Sequence, residues 1–264
     1  MGLIFIINYY GFITKCVIIK SVSDKINYER LNCMENLKDL EELVKDLEKE
    51  RDEAKQIALL QRIESKLLNE YNIVISGTVI EPLRVEAYYY PFDDEKKFDD
   101  PCAHKSTKKI NNFGKLYFIE ERYGYPGIDL CLSLGNYYLS FLIKNSRIEN
   151  AYYKQMDLYD KFQERRNEIE TVDVLKKVPN KNQIVFKTSR VGLRKSKTKF
   201  SHELLASVIE LNNSAGYDWE RGFGKEWMVA KYMAENNIPA TDENIKSLLG
   251  YKSQNVKKLI EDLK

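Results

Sequence analysis

The stretch that most constrains the fold runs from Asn72 to Tyr90 and reads NIVISGTVIEPLRVEAYYY. Apolar residues recur at about every second position, and the repeat is interrupted at Gly77 and again at Pro82. A period of two is typical of β-strands, and a glycine or proline inside such a run marks a bulge or a sheet edge. The stretch therefore predicts two strands at the centre of the chain.

Helical spacing dominates on both sides of this centre. Between Asn36 and Asn69 apolar residues recur three and four positions apart around a polar middle, which indicates two helices or one bent helix. Further strand segments read GKLYFIEE, IDLCLSLGNYYLSFLIKNSRI and NQIVFKTSRVGL, and the tail predicts three short helices. The expected fold class is α+β, with a strand-rich central core, a curved antiparallel sheet, flanked by N-terminal and C-terminal helices.

These segments divide the chain into four parts. Residues 1–33 are an N-terminal extension that we expect to be dispensable, or to reflect translation from a start upstream of Met34. Residues 34–72 are a helical segment, residues 73–205 the core, and residues 206–264 a C-terminal helical segment. The apolar N-terminal run is interrupted by Asn8 and Lys15, is too short for a membrane span, and lacks a clear cleavage site. We expect a cytoplasmic, monomeric protein without a membrane partner.

Composition excludes several kinds of chemistry. The chain contains two histidines, His104 and His202, so a histidine-rich metal site is excluded and a Ser-His-Asp triad is hard to assemble. No C-x-x-C pair and no zinc-like cluster is formed by the four cysteines, Cys16, Cys33, Cys102 and Cys131. We expect reduced, structural thiols, no metal and no cofactor.

The distribution of charge is more informative than its total of +2. The segment KTSRVGLRKSKTK, residues 187–199, holds basic side chains and no acid. It is either a solvated loop or a patch that contacts phosphate. The C-terminal tail has the spacing of a small helix-turn-helix unit, and a helical lid packed on the sheet is the alternative.

A carboxylate lies inside the second strand. Alternation places Glu86 on the same face as Arg84 and Tyr88, and Val85 on the other face. From spacing alone, Glu86 could be a surface residue that pairs with Arg84, and nothing in the periodicity makes it catalytic.

A set of short motifs helps to decide whether Glu86 is a surface residue or a catalytic one. They are VEAY ending at Tyr88, CAH ending at His104, GKLY ending at Tyr117, FLIK ending at Lys144, and SRVGL at residues 189–193. In this order, and with the interval from Tyr117 to Asp129, they resemble the alkyladenine (3-methyladenine) DNA glycosylase family over residues 60–200.

The resemblance implies a monofunctional DNA glycosylase that acts either in base excision repair of damaged DNA or against foreign DNA that carries modified bases. Such an enzyme flips a damaged or modified base out of the duplex, hydrolyses its N-glycosidic bond and leaves an abasic site. Glu86 would hold the place of the general base that activates a water. Tyr88, His104 and Tyr117 would stack on the flipped base, at about 1–3 kcal/mol per base. The partner would be double-stranded DNA carrying a modified base.

Two positions depart from the family pattern. Asp129 stands where an asparagine is usual, and an ionised aspartate only accepts hydrogen bonds, which favours a base that presents an amino group. Lys144 stands where an arginine is usual, so the charge is kept and the planar fork is lost. Both are expected to bind substrate.

The resemblance also implies a side chain that fills the gap left by the flipped base. Arg122 or Tyr123 would be that wedge, and Tyr123 is preferred because an aromatic ring fills a base-sized hole. Phosphate contacts are expected from a lysine cluster at residues 105, 108 and 109, and from Arg190, Arg194, Lys195 and Lys197. A catalytically inactive DNA-binding protein on the same scaffold, and an interaction protein using the acidic helix, remain the alternatives.

Overall fold

The structure is a computed structural model of the chain that describes residues 4–6, 17–19, 37–92, 100–120, 124–190, 203–211 and 224–263. The chain forms two compact units, Met1–Asp39 and Leu40–Lys264. In the first unit, β1 (Ile4–Ile6) pairs in antiparallel fashion with β2 (Val17–Ile19). The other strands that the structure describes belong to the second unit.

Two separate helices precede the large sheet. The sequence left open whether this segment forms two helices or one bent helix, and the structure shows two. Helix α1 covers residues 37–49, and α2 (Glu53–Glu70) follows after a short break. The carboxylate of Asp52 accepts a hydrogen bond of 2.9 Å from the backbone N–H of Lys55 and so caps α2. Leu60 and Ile63 are fully buried on one side of α2, as the helical spacing predicts.

The predicted strand pair is confirmed as a hairpin of β3 (Tyr71–Ile75) and β4 (Thr78–Pro91). Ser76 and Gly77 connect the strands and both have positive φ, 48° and 83°. A two-residue loop with two positive φ angles matches the right-handed twist of a hairpin. The second interruption in the sequence is a bulge, because the register between β4 and its neighbour shifts directly after Pro82.

The large sheet is antiparallel and curled. Along its main path the strand order is β10, β11, β4, β7, β6, β5, while β3 joins β4 to β9 and β8 pairs with β7. The expected α+β class is thereby confirmed. The remaining strands are β5 (Lys115–Ile119), β6 (Gly127–Cys131), β7 (Tyr137–Ile148), β8 (Ala151–Lys154), β9 (Leu175–Lys177), β10 (Phe186–Thr188) and β11 (Ala206–Val208).

The two faces of the sheet have different surroundings. Ser207 of β11 lies opposite Val85 of β4, and its hydroxyl donates a hydrogen bond of 2.6 Å to Glu64 of α2. Helix α2 therefore covers the face that carries Val85. Glu86 is the next residue on β4, so its side chain points to the opposite face.

Helices follow the strands, as expected, although the sheet extends further than the sequence predicts. Ala206–Val208 forms β11 between β10 and β4, so the sheet continues beyond residue 205, the expected end of the core. The later helices are α5 (Lys225–Glu235), α6 (Asp242–Leu249) and α7 (Gln254–Asp262), and the shorter α3 (Gln155–Phe162) and α4 (Arg166–Ile169) follow β8. In the described part of the chain, no helix has the length and apolar character to cross a membrane.

Candidate functional site

A single row of paired residues crosses the sheet from β4 to β5. Glu86 lies opposite Leu142, Leu142 opposite Asp129, and Asp129 opposite Tyr117. Residues directly opposite each other in antiparallel strands project from the same face of the sheet. Glu86, Asp129 and Tyr117 therefore share the face that α2 does not cover.

The neighbouring row adds further predicted residues to this face. Tyr88 follows Glu86 by two positions and lies opposite Ser140, which in turn lies opposite Cys131. Lys144 follows Leu142 by two positions on β7 and projects from the same face. We call this surface the polar face, defined by Glu86, Tyr88, Tyr117, Asp129, Ser140 and Lys144.

The carboxylate of Glu86 is fully buried and is held from two sides. The hydroxyl of Tyr88 donates a hydrogen bond of 3.1 Å to its Oε2, and the guanidinium of Arg84 lies 3.6 Å from its Oε1. Burial, and secondly the negative charge of Glu86, raise the pKa of Tyr88 well above its ordinary value. The phenol thus keeps its proton and remains a hydrogen-bond donor to the carboxylate at neutral pH.

Two of the predicted stacking residues contact each other. The rings of His104 and Tyr117 are nearly parallel, with centroids 5.5 Å apart and planes inclined by 22°. A hydrogen bond of 3.0 Å joins Nε2 of His104 to the hydroxyl of Tyr117. His104 is half-buried and Tyr117 is 6% exposed, so the pair forms an aromatic wall that solvent reaches from the His104 side.

Asp129 has a partner, Lys109, that was expected to contact phosphate instead. The ammonium of Lys109 makes a salt bridge to Oδ2 of Asp129, and the hydroxyl of Ser140 donates a hydrogen bond of 3.1 Å to the same oxygen. The ammonium also lies 3.2 Å from Ser140 Oγ and 5.1 Å from the centre of the Tyr117 ring. All three side chains of this group, Lys109, Asp129 and Ser140, are buried, and Asp129 Oδ1 has no hydrogen-bond partner among the described residues.

Arg190 has a different position from the phosphate contact that the sequence predicted. Its side chain is fully buried, and both terminal nitrogens donate to the carboxylate of Asp100. The guanidinium carbon lies 4.6 Å from the centre of the Tyr88 ring, and one nitrogen donates a bond of 3.1 Å to the Ala87 carbonyl. The Arg190 guanidinium therefore packs against one face of the Tyr88 ring, and its burial keeps it from contacting a phosphate.

Lys144 is held by a helix residue. Its ammonium donates a hydrogen bond of 2.6 Å to Oε1 of Gln155, the first residue of α3. The amide nitrogen of Gln155 donates a bond of 2.7 Å to the carbonyl of Pro126, just before β6. A Cβ on Gly127 would lie 2.7 Å from that amide nitrogen, so a larger residue at this position would require the Gln155 side chain to shift.

The lysine cluster at residues 105, 108 and 109 does not form one basic surface. Lys105 lies 3.3 Å above the ring of Tyr90, and Lys108 makes an exposed ion pair of 3.1 Å with Glu170. Lys109 is buried against Asp129, as described above. The remaining predicted contacts lie outside the described residues: Arg122, Tyr123, Arg194, Lys195 and Lys197.

The described residues were compared with the requirements of a metal site, and the chain was compared with known proteins. Within the described ranges, no three side chains of histidine, cysteine, aspartate or glutamate come together as metal ligands. No protein-family model matches the chain, and no curated protein is found to be similar to it. The resemblance to alkyladenine DNA glycosylases accordingly rests on the short motifs quoted above, and the inference of a function rests on the polar face.

Proposed function

We propose that the chain is a monofunctional DNA glycosylase that flips a damaged or modified base from double-stranded DNA and hydrolyses its N-glycosidic bond. The observation that supports this most is the row that brings Glu86, Asp129 and Tyr117 onto one face. Four strands, β4, β7, β6 and β5, contribute to this row. A buried carboxylate can activate a water, and aromatic rings and a hydrogen-bond acceptor beside it can bind a flipped base.

In this proposal Glu86 activates the water that attacks C1′ of the flipped nucleotide. The carboxylate accepts the proton of the water, and its charge stabilises the oxocarbenium-like transition state while the base departs. The hydrogen bond from Tyr88 and the nearby Arg84 hold the carboxylate in one orientation. Because water is the nucleophile, the product is an intact abasic site.

The flipped base would stack between Tyr88 on one side and the wall of His104 and Tyr117 on the other. Arg190 covers one face of the Tyr88 ring, so the base stacks on the opposite face. The cation below the ring fixes its orientation before the base arrives, which reduces the entropy lost on binding. Stacking recovers part of the cost of unpairing, a few kcal/mol in total.

Asp129 would select the base through its unpaired oxygen. Oδ2 already accepts from Lys109 and Ser140, while Oδ1 is buried without a partner among the described residues. A base edge with an exocyclic amino group, as in adenine and cytosine, would supply the missing donor. Hypoxanthine carries a carbonyl there, so preferred excision of hypoxanthine over amino-bearing bases would contradict this assignment.

A catalytically inactive DNA-binding protein is the second candidate, and one observation favours it. Lys144 is held by Gln155, and Asp129 is held by Lys109, at the two positions that depart from the family pattern. A pocket with these side chains in fixed pairs could keep a flipped base without cleaving its bond.

The experiment that separates the two candidates uses a panel of duplexes, each with one modified base. Each duplex is incubated with the chain and then treated with hot alkali, which cleaves the strand at an abasic site. Cleavage of at least one duplex at the modified position is expected. No cleavage across a broad panel, together with tight and salt-sensitive binding, would contradict the glycosylase and favour the binding protein.

A further inference from the structure

The row of paired residues that carries Glu86 continues across the other half of the sheet. Glu86 lies opposite Ala206 of β11, and Ala206 lies opposite Thr188 of β10. Residues directly opposite each other project from the same face, so Ala206 and Thr188 belong to the face that carries Glu86. Lys187, the residue before Thr188, agrees with this alternation, because its ammonium donates a hydrogen bond of 2.8 Å to Ser65 of α2 on the other face.

The side chain of Arg84 lies above β11, between the two ends of this part of the row. Arg84 is only 3% exposed and precedes Glu86 by two positions on β4. Its terminal nitrogen Nη2 lies 3.6 Å from Oε1 of Glu86 and 3.5 Å from the carbonyl of Ser189, which directly follows Thr188. Because this nitrogen is close both to a β4 side chain and to the end of β10, the guanidinium spans the strand between them, β11.

Two buried polar atoms at this place have unmet hydrogen-bonding capacity. Thr188 is 1% exposed, and neither its hydroxyl nor Nε of Arg84 has a hydrogen-bond partner in the part of the chain that the structure describes. The two contacts of Nη2 are also longer than the distance of about 2.7–3.2 Å that is usual for an N–H···O hydrogen bond. Buried polar groups in folded proteins are nearly always paired, either with protein or with bound water. An unpaired hydroxyl and an unpaired N–H side by side therefore indicate a binding position for a small polar molecule.

The other side chains around this position are apolar. Ala206 presents only a methyl group, which leaves space above β11 for the guanidinium and a molecule the size of water. Phe186 of β10 and Val208 of β11 lie opposite each other on the same face, and both are buried. The Phe186 ring packs against Tyr232 of α5, with ring centroids 5.4 Å apart. Helix α5 therefore closes this side of the face, and a molecule bound beside Thr188 is separated from bulk solvent.

The position lies on the side of Glu86 from which a nucleophile has to approach. In the proposed reaction the flipped base lies toward β6 and β5, where Asp129 and Tyr117 are located. A water that attacks a glycosidic carbon directly does so from the face of the sugar opposite to the departing group. For a sugar held above Glu86, that direction is from β11 and β10. A water satisfies both unpaired groups there, because it accepts a hydrogen bond from Arg84 and exchanges one with Thr188.

We propose that Arg84 and Thr188 hold the nucleophilic water beside Glu86, on its β11 side. The water accepts a hydrogen bond from Nε of Arg84, is oriented by the Thr188 hydroxyl and donates to the Glu86 carboxylate. Its oxygen bonds to C1′ as the C1′–N bond breaks, its proton passes to Glu86, and the base leaves with the electron pair of the broken bond. The catalytic role of this water rests on the proposed function, whereas its binding at this position does not.

The first test is the single-turnover rate of abasic-site formation by the full chain on the duplex that it processes fastest. Thr188→Val keeps the shape of the side chain and removes the hydroxyl, so a loss of about 3- to 10-fold in rate is expected, with unchanged affinity for DNA. Thr188→Ser restores a hydroxyl and should recover most of the rate. The matched control is Ser146→Ala, which removes a buried hydroxyl of β7 that also has no partner among the described residues, and it should leave the rate unchanged.

A second readout separates the positioning of a water from a purely structural role. In a mixture of water and methanol, methanol competes as the nucleophile and gives a methyl glycoside instead of an abasic site. A variant that only disturbs the sheet slows the formation of both products equally. Thr188→Val, and Arg84→Lys, which keeps the charge but loses Nε, are expected to raise the ratio of methyl glycoside to abasic site severalfold, because the position no longer favours water.

The outcomes distinguish failure of this proposal from failure of the glycosylase. Wild-type rate and product ratio in both Thr188→Val and Arg84→Lys, or equal slowing of both products, would overturn the proposal while the glycosylase stands. If the wild-type chain cleaves no duplex of the panel, the proposed function fails, and a crystal structure of the chain decides on the water site. An ordered water about 2.6–3.2 Å from both the Thr188 hydroxyl and Nε of Arg84 is expected, and no density for a water at this position would overturn the proposal.

Discussion

Tyr88 and Glu86 lie two positions apart on β4 and are joined by a hydrogen bond of 3.1 Å from the phenol to the carboxylate. Alternation along a strand places both side chains on one face, so the bond follows directly from the local sequence. The phenol keeps its proton because burial and the charge of Glu86 raise its pKa. This donor orients the group that we propose as the general base.

Removal of that donor should slow catalysis without preventing binding. Tyr88→Phe keeps the ring that stacks on the base and loses one hydrogen bond to a charged group, a loss of about 1.5–3 kcal/mol. We expect abasic-site formation to slow by roughly 10- to 100-fold while affinity for the modified duplex stays unchanged. Single-turnover rates measure the effect, and Tyr89→Phe on the opposite face of β4 is the control. Equal rates in Tyr88→Phe and wild type would contradict the role of the phenol.

Replacing only one partner of the buried pair Lys109 and Asp129 should lower the free energy of unfolding strongly. Asp129→Leu leaves a buried ammonium without its counter-charge, which typically lowers the free energy of unfolding by about 3–5 kcal/mol. Lys109→Met/Asp129→Leu removes both charges and is expected to be much less destabilised than the sum of the single variants. Urea denaturation of the four proteins in a double-mutant cycle measures the coupling. Additive losses would show that the two charges do not stabilise each other.

Glu64, the buried glutamate of α2, should make the free energy of unfolding depend on pH. Burial is the largest cause that raises the pKa of Glu64 to about 7, against the attraction of Lys187 and the hydrogen bond from Ser207. Burial also lowers the pKa of Lys187, which donates a bond of 2.9 Å to the same Ser207 hydroxyl. The folded chain therefore favours the protonated form of Glu64 more than the unfolded chain does.

The raised pKa of Glu64 determines whether stability rises or falls with pH. The contribution of Glu64 to stability is complete below its unfolded value of 4.5 and is lost as the pH rises through about 7. The loss amounts to about 3 kcal/mol, and Glu64→Gln should not show it. Denaturation of both proteins between pH 5 and 8 tests this: the advantage of Glu64→Gln should grow with pH. An advantage that stays constant or shrinks would mean that Glu64 is already ionised at pH 5.

Local patterns predicted the strands and the faces of the site correctly. The interruptions at Gly77 and Pro82 became a turn and a bulge, and alternation placed Glu86 beside Tyr88. Both features depend on residues close together in the chain, where steric rules and the period of a strand apply. The expected break between helices and strands also appears within two residues of its predicted place, at Tyr71.

Contacts between distant segments could not be predicted in the same way. Lys109 and Asp129 are 20 residues apart, and Arg190 and Asp100 are 90 apart. Lys109 and Arg190 each lie in a basic run of the sequence. Such a run, considered alone, predicts exposed side chains that contact phosphate. The burial of Lys109 and Arg190 depends on the register of β6 and β7 and on the contact that Arg190 makes with both Asp100 and the Ala87 carbonyl, and neither is encoded by local spacing.

The most direct test of the proposed function compares two buried glutamates that lie on opposite sides of the sheet, Glu86 of β4 and Glu64 of α2. Glu86→Gln and Glu64→Gln are incubated with the duplex that the wild-type chain processes fastest, and abasic sites are measured by hot-alkali cleavage under single-turnover conditions. We predict that Glu86→Gln loses about 10²- to 10⁴-fold in rate with unchanged DNA binding, whereas Glu64→Gln keeps the wild-type rate. Cleavage by Glu86→Gln at the wild-type rate would contradict Glu86 as the general base.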